Sequence, residues 1–488
     1  MDGHKPGKGV SRRTFLRTSA ATLSGAAATW LLASCGAPAT VSEAPASQTA
    51  AASTAPTTAS TEPTAAPTVE PTPAPTVGAI NTGAKINLRF WHMDYAPHNQ
   101  SFDALAKAFQ KEFPDIGITR EPQPQAEHVA KYQQGFVSGT QPDLIAIHGG
   151  AAALFVQSGV LAPLDGAAFQ SGEMEKLFFP ALLEAYQANG HIYGVPLANN
   201  TPGIGFIINL DHFEEAKVDI PEQFASWDAV WETAQKLTKK DGSGKIIRAG
   251  MNVREGHQLQ YVCGMMLEQG AQYFDPASGK FSFNSDAGHA AIKVLTDAVA
   301  KLKVDSPDIP PAFDSLANGL SSMGMIWIDY IPYAKSQFPD KHYGFIVRPP
   351  YAGKDLLVSS EGPWGVQVTA ASKQQQAAME FMKFLAREEN LRAWYQQQNA
   401  LPSSPALVND PYFKSNDSRW VRKALETMPG WRNEGPFPIW KMNSDISWPI
   451  LEKAILGSQT VESAAKQIDD EGTAMVAEFR SQVQDLKS

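Results

Sequence analysis

The chain has 488 residues, 43% of them hydrophobic and 19% charged, which is enough to fill the cores of two or three ordinary domains. Its 41 Lys and Arg stand against 50 Asp and Glu, and the formal net charge of -9 argues against a nucleic-acid partner. Two cysteines exclude a disulfide-rich scaffold, and the lack of a long, strongly apolar run excludes a polytopic membrane protein.

Residues 1–17 are basic, with Arg12, Arg13 and Arg17, and a weakly apolar run follows from Thr18 to Leu32. That order reads as a signal peptide. Ser11-Arg12-Arg13-Thr14-Phe15-Leu16 resembles the twin-arginine export motif; a Sec signal that happens to hold an Arg pair is the alternative. Leu32-Ala33-Ser34-Cys35 resembles a bacterial lipobox, in which small residues precede a cysteine that takes lipid. Lipidation at Cys35 would anchor the protein to the cell membrane on its extracytoplasmic face. Cys263 then has no partner within the chain and is read as a buried, inert thiol. Segment 1–35 is thus the signal peptide. Segment 36–84 is almost wholly Ala, Thr, Pro, Ser, Val and Glu, a composition that cannot bury enough apolar surface to fold. It is read as a tether, reaching roughly 40 Å as a coil and about 150 Å when extended.

The body, 85–488, opens with a strand at Ile86–Trp91. A helix is predicted from Asn99 to Phe113, on the stripe Phe102, Leu105, Phe109, Phe113, and Pro114 ends it. A strand near Ile116, a helix over 126–138 and a buried parallel strand at Pro142–Ile147 come next. A short helix follows from Ala151 to Ser158. Ser226 reads as the N-cap of a helix whose Trp227 and Trp231 face the core. A long helix runs from Asp286 to Lys303. Strands are predicted at 324–328, 343–347 and 364–368, and helices dominate from Gln374 onward. Alternating strand and helix make this an α/β chain.

Several blocks, in order, resemble the extracellular solute-binding proteins of bacterial ABC importers, in the maltose-binding-like, carbohydrate-oriented family 1. They are Phe90-Trp91-His92, the stretch from Gln141 to Asp165, Ile192–Pro196 with Gly205–Asn209, Ser226-Trp227-Asp228, Glu361–Gly365 with Ala377–Leu385, and Leu401–Ser404. Two departures stand out: the family usually has paired glycines near Glu361-Gly362, and often Arg at the place of Ser404. The resemblance implies a two-lobed, periplasmic-binding-protein-like class II fold with a hinge and an interlobe ligand cleft. It places the N-lobe at about 85–195 plus 315–365 and the C-lobe at about 196–314 plus 366–488. It implies a monomeric, lipid-anchored binding protein that uses no cofactor, is no enzyme, and passes a sugar or oligosaccharide to ABC permease subunits in the membrane. A lipid-anchored glycoside hydrolase and a sensory sugar-binding lipoprotein are the alternatives.

In open α/β sheets, ligands bind beyond the carboxyl ends of strands. That rule selects Trp91, His92 and Asp94 after the first strand and His148 after the third. It adds Asn199 and Asn200 at a crossover, and Trp327, Asp329 and Tyr330 after the strand at 324–328. Glu361 and Trp364 flank the last strand, and the late loop 428–443 adds Trp431, Trp440 and Asn443, with Arg432 and Glu434 nearby. The mixture suits a sugar, whose C–H faces pack on aromatic rings and whose hydroxyls hydrogen-bond to carboxylates and amides. Trp91, Trp364 and Trp440, with Asp329 and Glu361, are the expected heart of one cleft. Ser463-Ala-Ala-Lys466 matches a penicillin-binding-protein pattern but lacks its partner motifs and reads as a solvated helix face. The short acidic run Asp469-Asp470-Glu471 lacks metal-loop spacing, and no metal site is expected.

Overall fold

A computed structural model of the protein describes residues 79–80, 83–199, 203–353, 355–415 and 419–487. The signal peptide, Cys35, most of the tether and Asn200 lie outside the described residues.

Ala79–Ile80 (β1) and Ile86–Met93 (β2) open the fold. Helix α1, Ala96–Glu112, follows, with Pro97 in its first turn, where the missing N–H costs nothing. Its buried stripe is Phe102, Leu105, Ala106 and Phe109. Next come β3 (Ile116–Gln123), α2 (His128–Ser138), β4 (Leu144–His148) and α3 (Gly149–Ser158). All five residues of β4 are buried, as a central strand covered on both faces requires. The chain continues through β5 (Gly194–Asn199), β6 (Gly205–Asn209), α4 (Trp227–Leu237), α5 (Gln258–Glu268) and α6 (Asp286–Ala300). Ser226 caps α4, its hydroxyl accepting from the Ala229 N–H at 3.2 Å. Then follow β7 (Met323–Gly324), α7 (Tyr330–Gln337), β8 (Tyr343–Val347), β9 (Val358–Ser360) and β10 (Trp364–Val368). The last part holds α8 (Gln375–Leu385), α9 (Glu388–Gln398), β11 (Leu401–Pro402), β12 (Trp431–Asn433), a π-helix at Lys441–Ser447, α10 (Trp448–Ile455) and α11 (Val461–Lys487).

Seven strands form one mixed sheet in the order β1-β3-β2-β4-β10-β5-β11. Strand β2 is parallel to β3 and β4, and β10 runs antiparallel between β4 and β5. A second sheet has the order β7-β6-β8, and β9 pairs in parallel with β12. Side chains alternate along β2: Leu88 and Phe90 enter a core shared with α1, α8 and α9, whereas Trp91 enters one on the opposite face with Tyr132, Ile147 and Phe155. A third core gathers Phe206, Trp227, Tyr261, Ile292, Ile346 and Ile450 around the smaller sheet.

The strand predicted at 324–328 is only two residues long. Beyond Gly324 the chain turns, and the Tyr330 N–H reaches the Trp327 carbonyl at 3.2 Å. Ile326 and Ile328 are buried all the same, so the apolar run encoded burial rather than extension. Helices α8 and α9 pack on the large sheet, with Phe381 against Phe109 at 5.0 Å and Trp394 against Phe102 at 4.6 Å. Residues 375–398 thus share a core with the large sheet, because their apolar faces match α1. Likewise β7 and β8 pair with β6, which draws 323–347 to the smaller sheet. Cys263 is buried beside the Ser359 hydroxyl, and burial, then the charge of Glu434, pushes its thiol well above the usual range, as befits an unreactive cysteine.

Candidate functional site

His148 ends β4 and caps α3, its Nδ1 accepting from the Gly150 N–H at 3.1 Å. Antiparallel pairing places Trp364, the first residue of β10, directly opposite it. A β-bulge between Trp364 and Gly365 turns the start of β10. The Trp364 ring then meets His148 edge-on, centroids 5.2 Å apart, and meets His98 of α1 at 4.6 Å. Trp440 arrives from a distant part of the chain and stacks on His148 at 5.0 Å with an interplanar angle of 21°. It can do so because residue 150 is glycine: a Cβ there would lie 2.5 Å from the indole. Trp364 and Trp440 are 6.1 Å apart at 66°, and His128, at the start of α2, borders both.

Two carboxyl groups close this aromatic nest. Glu361 is 5% exposed, and its Oε1 lies 3.9 Å from His148 Nε2. It is followed by Gly362 at φ +96°, a left-handed turn that lets the loop lie against Gly149. The indole N–H of Trp440 faces its carboxyl, whereas Oε2 has no hydrogen-bond partner. Glu434 is 3% exposed and accepts from Gln260 Nε2 at 2.8 Å, with the Asn443 amide beside it. Burial, then the charge of Glu434 and of Asp329, pushes Glu361 well above the usual carboxylate range. Burial raises Glu434 to about 7, opposed by Gln260 and Asn443. The histidines go the other way: burial lowers His98 and His148 to about 3 and His257 to about 4, so all three are neutral.

The structure thus brings together His148, Glu361, Trp364, Trp440 and Asn443 from the predicted set. Asp329 is close enough to act on Glu361 and on Tyr95. Trp327 borders the region through His257, ring to ring at 5.1 Å. Asn199 is buried at the end of β5, its amide 3.5 Å from the Ser360 hydroxyl.

Other predicted contacts are structural. Trp91 is 9% exposed, donates to Glu121 Oε2 at 2.6 Å, and packs on Tyr132 and Gly135. It sits beneath α2 because β2 alternation turns it to that face. His92 points to the opposite face, against Phe90 and Phe102, with Nδ1 3.0 Å from the Met93 carbonyl. Asp94 accepts from Asn99 in the first turn of α1. Tyr330 is fully buried among Phe313, Tyr333 and Tyr343. Trp431 is a core residue of β12 whose indole donates to Thr427 at 2.9 Å. Strand-end position selected these residues, but it does not say which face a side chain takes.

His98, His128, His257 and Gln260 were not foreseen. His98 and His128 begin helices and read as ordinary polar starts; their aromatic company comes from other strands. Among the described residues no group of three or more His, Cys, Asp or Glu is placed to hold a metal ion. A surface cavity of about 810 Å³, lined by Phe169, Leu177, Lys383 and Arg387 among others, shares no residue with the nest.

The family model for bacterial extracellular solute-binding proteins matches residues 104–419. The galactooligosaccharide-binding protein of Bacillus subtilis is 23% identical over 359 residues, covering 72% of this chain and 80% of its own. Among solved structures, the cyclic alpha-maltosyl-1,6-maltose binding protein of Arthrobacter globiformis superimposes with a TM-score of 0.66 at 18% identity, over 80% of this chain and 99% of its own. UgpB of Mycobacterium tuberculosis, in complex with glycerophosphocholine, gives a TM-score of 0.66 at 19% identity, over 82% and 99%. These neighbours share the two-domain, periplasmic-binding-protein-like architecture. With a matched region spanning well over half its length, the chain belongs to the bacterial extracellular solute-binding protein family.

Proposed function

We propose that the protein is an extracytoplasmic, lipid-anchored substrate-binding protein of an ABC importer, which captures a sugar or oligosaccharide between two lobes and delivers it to a permease. The observation that carries this reading is the nest itself. Trp364 and Trp440 offer apolar faces, while Glu361, Glu434 and Asn443 offer buried hydrogen-bonding groups beside them. That pairing matches the two kinds of surface on a pyranose. The named ligands of the relatives, galactooligosaccharide and cyclic maltosyl-maltose, support it.

The Trp440 ring centroid lies 5.0 Å from that of His148 and 6.1 Å from that of Trp364. Sandwiching a sugar between two faces requires about 7 to 8 Å, twice a van der Waals contact. Ligand entry therefore requires the walls to separate, which a hinge between lobes supplies. The N-lobe is best drawn as the large sheet with α1, α8 and α9, and the C-lobe as the smaller sheet with α4, α5, α6, α10 and α11. Small-angle scattering with and without a bound ligand should differ in radius; an unchanged radius at saturation would count against the hinge.

Calorimetric titration against an oligosaccharide panel and glycerophosphocholine tests the ligand class. Binding of an oligosaccharide that is recovered intact is the expected result. Binding of glycerophosphocholine alone would overturn the sugar reading, and recovery of shortened sugars would move the protein to the glycoside hydrolases.

A further inference from the structure

Helix α11 belongs to the C-lobe, but its apolar stripe does not end there. Ala465, Ile468, Met475 and Val476 lie in the core of the smaller sheet. At the same helical spacing Phe479 and Val483 follow, and these leave that core. They pack on Ala153 and Leu154 of α3, in a separate apolar cluster whose members are 3 to 7% exposed. Helix α3 is itself fixed in the N-lobe, where Ala152, Phe155 and Val156 share a core with Trp91 and Tyr132. The tip of α11 is fixed to the other lobe: Arg480, next to Phe479, donates to the Pro276 carbonyl at 2.6 Å. The cluster therefore joins two bodies that each hold their own side of it.

One face of α3 meets the C-lobe along its length. Gly150 lies against Trp440, Ala153 and Leu154 against α11, and the Gln157 amide donates to the Pro436 carbonyl at 2.9 Å. These positions are three or four residues apart, the spacing of a single helical face. A lobe movement that parts Trp440 from His148 and Trp364 thus also draws Phe479 and Val483 off α3. It returns their apolar surface to water, a cost carried by the open form alone. A contact made in one form and absent from the other shifts the balance between them. Affinity for a ligand held by the closed form scales with the population of that form.

We propose that the end of α11 is a latch between the lobes, and that Phe479 and Val483 are positioning residues which raise ligand affinity from outside the cleft by favouring closure. The latch rests on the hinge of the proposed function, not on the ligand being a sugar.

The test measures the distance between the lobes directly. Spin labels are placed on the exposed positions Lys131 of α2 and Lys453 of α10, as Lys131→Cys and Lys453→Cys. The background is full-length Cys35→Ala, so that only the introduced thiols react, Cys263 being buried. Pulsed electron resonance on the ligand-free protein should show Phe479→Ala shifted toward longer distances than its parent. Phe479→Leu should stay close to the parent. Leu154→Ala, which removes the N-lobe side, should shift as Phe479→Ala does and serves if that variant fails to fold. The double variant should shift no further than either single one, because both remove the same contact. A role confined to helix stability would lower the melting temperature and leave the distances unchanged, which would overturn the proposal. Singles whose shifts simply add would overturn it too. Where the parent binds maltotetraose, Phe479→Ala should bind it about fivefold or more weakly, and equal affinity would overturn the latch while leaving sugar capture standing.

Discussion

Glu361 and Glu434, 73 residues apart in the chain, emerge side by side because β9 and β12 pair in parallel with Ser360 opposite Asn433. Like charges so placed, and so buried, cannot both ionise cheaply. Burial raises both carboxyl groups, and the charge of Glu434 adds to the rise at Glu361.

Glu434 is raised to about 7 from an ordinary 4.5. The native state therefore holds this proton more firmly than the unfolded chain does. Stability from this group is greatest below about pH 4.5, falls as pH rises toward 7, and is flat above. Glu434→Gln should abolish the fall and stabilise the protein at pH 8 relative to wild type, by on the order of 3 kcal/mol at most. Denaturant melts of both proteins at pH 5 and pH 8 measure this; equal pH slopes would refute it.

The histidines act in the opposite sense. His92 and His257 are lowered to about 4, and His98 and His148 to about 3. Their unfolded forms bind protons below about pH 6.5, whereas the native forms do not. Each contributes stability that is present above pH 6.5 and lost as pH falls toward 3 or 4, on the order of 3 kcal/mol apiece. Four such groups outweigh the two raised carboxyls, Glu434 and Glu361, so the melting temperature should peak near neutrality and drop on the acid side. His148→Gln should shallow the acid limb, as read by thermal melts from pH 4 to 8.

Tryptophan truncations should separate site from scaffold. Trp364→Ala and Trp440→Ala should weaken ligand binding by about 2 to 4 kcal/mol, the range of a buried aromatic hot spot, with the fold retained. Trp91→Ala should instead lower stability by about 3 to 5 kcal/mol, because it empties a packed site beside Tyr132 and Gly135. Titration and melting of the three variants give the comparison. Normal stability in Trp91→Ala would contradict its core assignment.

Arg348 lies where the chain passes between the sheets. Its guanidinium donates to the carbonyls of Gly203 and Leu357 and pairs with Glu268, with both partners fully buried. Removing one member leaves an uncompensated buried charge. Glu268→Ala should therefore destabilise the protein by about 3 to 5 kcal/mol in a denaturant melt. A loss under 1 kcal/mol would show that the arginine finds water in place of the carboxylate.

Membrane attachment is tested at Cys35. Cys35→Ala should release the protein from the membrane fraction or leave it unprocessed. A mutant that is processed and membrane-bound as before would remove the lipid anchor from the proposed function.

Local pattern was enough to read much of the fold. The stripe Phe102, Leu105, Phe109 marks α1, Ser226 marks the start of α4, and the continuous apolar runs mark β4, β8 and β10, because period, capping and burial are written in neighbouring residues. The ordered blocks also sufficed for the family. The site was legible only as a set of strand ends. Glu361, Trp364, Trp440 and His148 were within that set, but so were Trp91, His92 and Trp431, which the structure commits to the core. A one-residue step along β2 decides between faces, and nothing local to Trp91 states which face α2 will cover. The pairing of β9 with β12, the approach of Trp440 to Gly150 and the neutrality of the histidines all arise between segments far apart in the chain. Those are tertiary decisions, because desolvation and like-charge repulsion depend on what surrounds a side chain, not on which residues precede it.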